Sequence, residues 1–294
     1  DIDPIIFFCA VGLSAFGMVM VYSASNILAL DRYNDSLFFV KRHVLWMLIG
    51  FAVLLFFTKL DSRILSNLAY PALVISIVAL ALVFVPGIGR AAGGARRWVS
   101  FGPFSFQPAE VAKLGLVLFL AHFLTVKGER LSNFKYGFLP PILLTGFVLS
   151  LILIQPDLGT AMLIAATAGL LFFLAGAKWV HLAGFAMTCA PIMYWMVFST
   201  PWRQKRVLAF LHPFDEARGV GYQLIQSLLA LGRGGVAGLG LGEGKQKLFY
   251  LPEPHTDFIY AVVGEELGLI GALTVGAVFF LILSRGLVLA HRCK

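Results

Sequence analysis

Eight apolar stretches, each close to the length that crosses a bilayer, leave this chain few alternatives to a membrane fold. They run near 4–25, 42–58, 67–86, 107–126, 138–155, 157–176, 181–199 and 257–284. A hydrocarbon core of about 30 Å needs roughly 20 apolar residues per helix. No stretch alternates with period two, which argues against a β-barrel. The first is too long, and too rich in Gly and Ser toward its end, for a signal peptide. The expected fold is all-α, a polytopic transmembrane helical bundle forming one domain over residues 1–294. Composition agrees: 59% of the residues are hydrophobic and 13% charged, against about 45–50% and about 25% in soluble domains. That excludes a water-soluble enzyme and a disordered chain. The net charge of +8 is scattered among apolar runs, so no basic face for nucleic acid is expected. Cys9, Cys189 and Cys293 are far apart and lack ligand spacing, which implies neither a metal site nor a disulfide framework.

The connections are uneven. Only Gln155-Pro156-Asp157 separates spans 5 and 6, a tight hairpin at one membrane face. Spans 7 and 8 are separated by residues 200–256, which hold Pro201, Pro213, Pro252 and Pro254 and a glycine-rich run from Gly232 to Gly244. Structureless loops this long are usually functional. Within it, Tyr222–Leu231 has helical spacing, with Gln223, Gln226 and Ser227 on the side away from the leucines, and reads as a short interfacial or re-entrant helix. The run Gly238–Gly244 follows no strand, so a dinucleotide site is not indicated.

Basic residues lean toward a cytoplasmic N-terminus. On that orientation the inside loops hold nine Lys and Arg and the short outside loops six, while the long loop adds seven more outside; the rule weakens for loops near 60 residues. An N-inside chain thus has an outer excess of cations that topology does not explain and anionic ligand binding would.

Ionisable groups at membrane depth are costly and usually functional. Four places carry them. In Phe106-Gln-Pro-Ala-Glu-Val-Ala-Lys113, Pro108 suits a first helical turn and Glu110 and Lys113 share one face. They either neutralise each other or line a wet cavity where Lys113 contacts phosphate. Just upstream, Arg96 and Arg97 beside Trp98 read either as interfacial anchors or as a planar clamp for pyrophosphate. Asp157 opens span 6, where a carboxylate caps free N–H groups. The last segment, Leu251-Pro-Glu-Pro-His-Thr-Asp257, gathers Glu253, His255 and Asp257 at the mouth of span 8, which Thr256 or Asp257 could cap. Glu265 and Glu266 lie about two turns deeper, where no cap explains them. Asp257, a carboxylate at a membrane boundary, is a candidate general base.

Taken together these pieces resemble the SEDS family, the FtsW/RodA/SpoVE group of cell-wall polymerases. The resemblance rests on Val21-Tyr-Ser-Ala-Ser25, Gly94-Ala-Arg-Arg-Trp98, Phe106–Lys113, Gln155-Pro-Asp-Leu-Gly-Thr160, Gly221-Tyr-Gln-Leu-Ile-Gln-Ser227 and Leu251–Phe258 continuing through Gly264-Glu-Glu-Leu-Gly268. The long loop is similar to those of the FtsW and SpoVE branches more than to RodA. The resemblance implies a peptidoglycan glycosyltransferase of the bacterial cytoplasmic membrane, acting at its outer face in division or elongation. Its substrate would be lipid II, an undecaprenyl pyrophosphate carrying a disaccharide-pentapeptide. It further implies Asp257 as base, Arg96, Arg97 and Lys113 as pyrophosphate holders, Glu110 as orienter of Lys113, and Glu253 and His255 as shapers of the substrate site. Gln107, Asp157 and Gln223 would support them. Expected partners are a class B penicillin-binding protein transpeptidase, divisome or elongasome proteins and membrane lipid; no cofactor is firmly implied, although a divalent cation is compatible.

Two departures stand out. The family fold has ten spans, and the last two, with their Pro- and Gly-rich segment and Ser-Tyr-Gly-Gly stretch, do not follow here; with a start at Asp1 instead of Met, both ends are expected to be cut and the activity of these residues alone is in question. Pro254 replaces a more usual Ala or Arg, which would stiffen the approach to Asp257. The competing readings are a lipid II flippase and a non-catalytic scaffold for a transpeptidase. A transport site would lie near the midplane, often at broken helices, whereas Arg96, Glu110, Asp157 and Asp257 cluster toward one face.

Overall fold

The computed structural model describes residues 2–92, 95–101, 104–128, 131, 133–215, 219, 221–248, 251 and 254–292. In chain order the elements are α1 (Pro4–Tyr33), α2 (Phe38–Thr58), α3 (Ser62–Leu82), β1 (Gly89–Ala92), β2 (Ala95–Phe101), β3 (Phe104–Phe106), α4 (Pro108–Lys127), a π-helical turn (Phe134–Phe138), α5 (Leu139–Ile154), α6 (Leu158–Leu174), α7 (Trp179–Phe198), α8 (Pro201–Leu211), α9 (Tyr222–Gly234) and α10 (Ile259–Arg292). Among the described residues, seven helical stretches are long and apolar enough to cross a membrane: α1 to α4, α5 with its π-helical turn, α7 and α10. The eighth apolar run is α6, whose 17 residues span about 25 Å, near the lower limit for a crossing. The protein is a multi-span helical membrane bundle. Its described residues divide into two compact units, Asp1–Lys59 with Pro201–Lys294, and Leu60–Thr200.

In the first unit α1 and α10 run antiparallel. Asp3 caps α1, accepting from the backbone N–H of Ile5 and Ile6 at 3.1 Å each, and Pro4 takes the first helical position, where its missing N–H costs nothing. The same carboxylate meets Arg285 near the far end of α10 at 2.9 Å, and the guanidinium holds the Asp3 carboxyl below the usual carboxylate range. At the other end of the pair, Ser23 of α1 bonds Glu266 of α10. The start of α10, next to Asp257, is therefore at the opposite end of this helix pair from Asp3.

The α10 helix is broken at Gly268, which has φ +67°. In hydrocarbon the freed backbone groups must find partners inside the protein, and the glycine-rich loop supplies them. Leu269 and Ile270 donate to the carbonyls of Gly235 and Val236, while Leu239 and Gly240 donate to those of Glu265 and Glu266, all at 2.9–3.2 Å. So close an approach needs Gly238, at φ +82°, where a Cβ would collide with the backbone of Glu266 and Leu267. The α9 helix packs on α10 through its small residues, burying Ser227, Ala230 and Gly234 and leaving Leu228 and Leu229 exposed. Small residues inside and leucines outside is the membrane form of helix packing.

In the second unit α3 and α4 touch at Gly115, where a Cβ would strike Ser76 and the Ala72 carbonyl; the Ser76 hydroxyl donates to Ala72 and also reaches the Val111 carbonyl at 3.2 Å. Around that contact Leu80, Leu116, Phe119, Leu120, Phe138, Ile152, Ile164 and Phe172 form the core.

Two elements depart from the sequence reading. Residues 89–92, 95–101 and 104–106 form antiparallel strands in the order β1-β2-β3, where the sequence suggests only a cationic connection; Ala95 and Val99 face inward while Arg96 and Trp98 face out, an alternation too short to stand out among the neighbouring glycines. Residues 201–211 form α8, within the stretch that the sequence presents as a proline-punctuated loop. Proline suits a helix start, and one turn on, the Arg206 guanidinium lies 4.0 Å from the centre of the Trp202 ring.

Gly115→Val should lower thermal stability in detergent by about 1–3 kcal/mol, the usual cost of overpacking. An unchanged melting transition would contradict the close α3–α4 contact.

Candidate active site

In the second unit the ribbon, the start of α4 and the α5–α6 turn are knitted by polar side chains. Arg97 donates through Nε to the Gln155 carbonyl at 3.4 Å and through Nη2 to that of Pro156. Gln155, buried, sends its amide back to the Leu80 carbonyl at 3.1 Å. Arg97 thus takes the carbonyls of the α5 C-cap, Gln155, and of the turn residue that follows it. Asp157 caps α6, accepting from the Thr160 N–H at 3.3 Å. Its other oxygen accepts from the Gln107 amide at 2.9 Å, so Gln107 ties the start of α4 to the start of α6. Lys113 pairs with Glu110 at 2.6 Å, with the lysine side chain 28% and the glutamate 57% exposed. Exposed pairs of this kind contribute about 0–1 kcal/mol, so Lys113 can exchange Glu110 for an anionic ligand at little cost. Arg96 is exposed on the outer side of β2, and Arg97 only half so.

The first unit carries the other candidates. Asp257 is exposed just before α10. The first bonds of that helix are accepted by the Phe258 carbonyl, from Ala261 and Val262 at 3.0 and 3.3 Å, so the cap position falls on Phe258 and not on Thr256 or Asp257. Among the described residues none is hydrogen-bonded to the Asp257 carboxylate. The His255 ring lies 4.3 Å from that of Phe39 in α2. Gln223 is exposed on α9. Glu253 lies outside the described residues. No group of three or more His, Cys, Asp or Glu suited to a metal is gathered among the described residues.

The two deep glutamates now have partners. Glu265 accepts from the backbone N–H of Lys245 at 3.0 Å and of Gln246 at 3.2 Å, and both carboxylates of the pair are fully buried. Glu266 pairs with Lys247 at 2.6 Å, with side-chain exposures of 0% and 3%. The Ser23 hydroxyl completes the set, donating to Glu266 at 2.7 Å and accepting from Lys247 at 2.9 Å. Taking one partner from a buried pair costs about 3–5 kcal/mol. The sequence reading singles out the glutamates and misses Lys247, because a pairing between residues nineteen positions apart, across a loop and the first turns of α10, leaves no periodic trace. The available signal was a lysine embedded between a glycine run and the Leu251 motif.

Comparison with known proteins places this architecture. The family model described as "Cell cycle protein", FtsW/RodA/SpoVE, matches residues 3–294. A protein of Geobacter metallireducens named probable peptidoglycan glycosyltransferase FtsW is 42% identical over 288 residues, 98% of this chain and 77% of that protein. Stage V sporulation protein E of Bacillus subtilis is 39% identical over 278 residues, 95% and 76% of the two chains. Among solved structures, a chain from work entitled "Structural coordination of polymerization and crosslinking by a peptidoglycan synthase complex" superposes with a TM-score of 0.77 at 29% identity, covering 98% of this chain and 78% of its own. The rod shape determining protein RodA of Thermus thermophilus gives 0.65 at 27% identity, over 98% and 75%. The matches extend through all eight apolar helices and every motif above, and the chain belongs to the FtsW/RodA/SpoVE family.

Proposed function

We propose that this protein is a peptidoglycan glycosyltransferase that polymerises lipid II at the outer face of the bacterial cytoplasmic membrane, with Asp257 as its general base. The observation that carries the assignment is a contrast among carboxylates. In the candidate motifs, among the described residues, Glu110, Asp157, Glu265 and Glu266 are all engaged with protein partners. Asp257 is exposed and free to meet a ligand. It would accept the proton of the acceptor sugar hydroxyl as that oxygen attacks the donor anomeric carbon, expelling undecaprenyl pyrophosphate with inversion. Base catalysis of this kind contributes about 10²- to 10⁴-fold.

Negative charge develops on the departing pyrophosphate, and fixed cations stabilise it. Arg96 and Lys113 are the side chains we assign to that task, since Arg97 already spends donors on the Gln155 and Pro156 carbonyls and serves to hold the strand that carries Arg96. Glu110 orients Lys113, and Asp157 with Gln107 fixes the helix start beside them. His255 and Gln223 would face the sugar and peptide portions. The outward orientation is supported by the inside bias of the short loops and by the placement of Asp257 at the opposite end of the α1–α10 pair from Asp3. A class B penicillin-binding protein is the partner such a polymerase would feed, in line with the synthase complex named above.

The break at Gly268 is the sort of discontinuity a flippase uses to build a transport site. Here residues 235–240 occupy its backbone groups, which favours a closed support over a translocation path.

With purified lipid II and the transpeptidase partner, the full-length protein should form glycan strands, and Asp257→Ala at equal folding should be slower by at least about 10²-fold. Wild-type rates in the variant would remove Asp257 from the mechanism; transfer of lipid II across liposomes without strands from either protein would replace the polymerase by a flippase. Lys113→Met should lower kcat by about 10- to 100-fold, and an unchanged kcat would contradict its assignment to the leaving group.

A further inference from the structure

An exposed base that no described neighbour holds must be placed by its own chain. Ten residues before Asp257 stands Lys247, and nine after it stands Glu266. Their ion pair at 2.6 Å closes a hairpin with Asp257 near its midpoint. The descending arm is continuous helix from Ile259 to Glu266. The described residues of the ascending arm, 247, 248, 251 and 254–257, are non-helical; the His255 ring rests on that of Phe39, and two anchors hold the arm farther back. One is Lys247 itself, buried against Glu266 and Ser23. The other is Leu251, 2% exposed, which sits in a cluster with Met20, Ala24, Ala230 and Ala261–Val263 and donates its N–H to the Gln246 carbonyl at 2.9 Å. Glu265 holds the same arm from the side through the N–H groups of Lys245 and Gln246.

We propose that Lys247, Glu266 and Ser23 are positioning residues that set the location of the Asp257 carboxylate by tying the Lys247 end of its hairpin to α10 and α1. The inference rests on the assignment of Asp257 as base. A buried ammonium and carboxylate must stay paired, and the Ser23 hydroxyl, donating to Glu266 and accepting from Lys247, ties the pair to α1. Apolar side chains of similar size would fill the space without imposing that register.

This distinguishes positioning from plain stabilisation. Lys247→Met leaves Glu266 buried and unpaired, so both stability and turnover should fall, kcat by about 100-fold, the usual scale for an ångström-sized misplacement. Lys247→Met with Glu266→Gln removes the unpaired charge and should restore the melting temperature. Under positioning, the double variant keeps its KM for lipid II within about threefold of wild type, the pattern of a contact that matters only in the transition state, while kcat stays at least about tenfold down. Recovery of kcat together with stability would overturn the proposal and leave the pair a structural element. Asp257→Ala, assayed alongside in the full-length protein with its transpeptidase, separates the two claims. Full activity in that variant overturns the base assignment and the positioning role with it; an inactive Asp257→Ala beside a fully recovered double variant overturns positioning alone.

Discussion

Two opposite charges removed from water organise the first unit. Lys247 and Glu266 are almost wholly buried, and neither is tolerable there without the other. Satisfying them recruits the Ser23 hydroxyl from α1, and the adjacent Glu265 takes up the backbone of the same loop. The glycine-rich run, the break in α10 and the place of Asp257 all follow from that cluster. Gly238 lets the loop approach the Glu266 backbone, and the loop in turn supplies the carbonyls that Leu269 and Ile270 need where Gly268 interrupts the helix.

The second unit solves a related problem by different means. A hairpin of two membrane helices leaves free carbonyls at the end of α5 and free N–H groups at the start of α6, and hydrocarbon offers neither a partner. Arg97 takes the carbonyls of the C-cap Gln155 and of Pro156 in the turn and Asp157 takes an N–H, while Gln107 bonds Asp157 from the start of α4. This leaves Arg96 exposed and Lys113 in a weak, half-exposed pair, cations that a phosphate can still reach. The division of labour between engaged and accessible charges is what makes the motif suited to binding an anion.

Much of this was legible in the residues. Apolar run length locates the eight apolar helices, because the bilayer enforces it. Local chemistry fixed the Asp157 cap, since capping involves groups three residues apart, and the same holds for the Glu110–Lys113 pair. The helix at Tyr222 was visible from its spacing. What stayed hidden depends on contacts between distant segments. Lys247 meets Glu266 across a loop and Ser23 across most of the chain, distances that no periodicity encodes. The ribbon of β1, β2 and β3 is stabilised by pairing more than by pattern, and α8 is concealed by the proline that starts it. The role of Glu265 as an acceptor for loop N–H groups required knowing which loop comes to it.

The most direct test of the central claim is chemical rescue of the base. In Asp257→Gly the exposed position leaves room for a small carboxylate, so lipid II turnover should be low in chloride and rise with added formate. Turnover at the wild-type rate without formate, or a folded and lipid II-binding variant equally slow in formate and chloride, would contradict a base at Asp257.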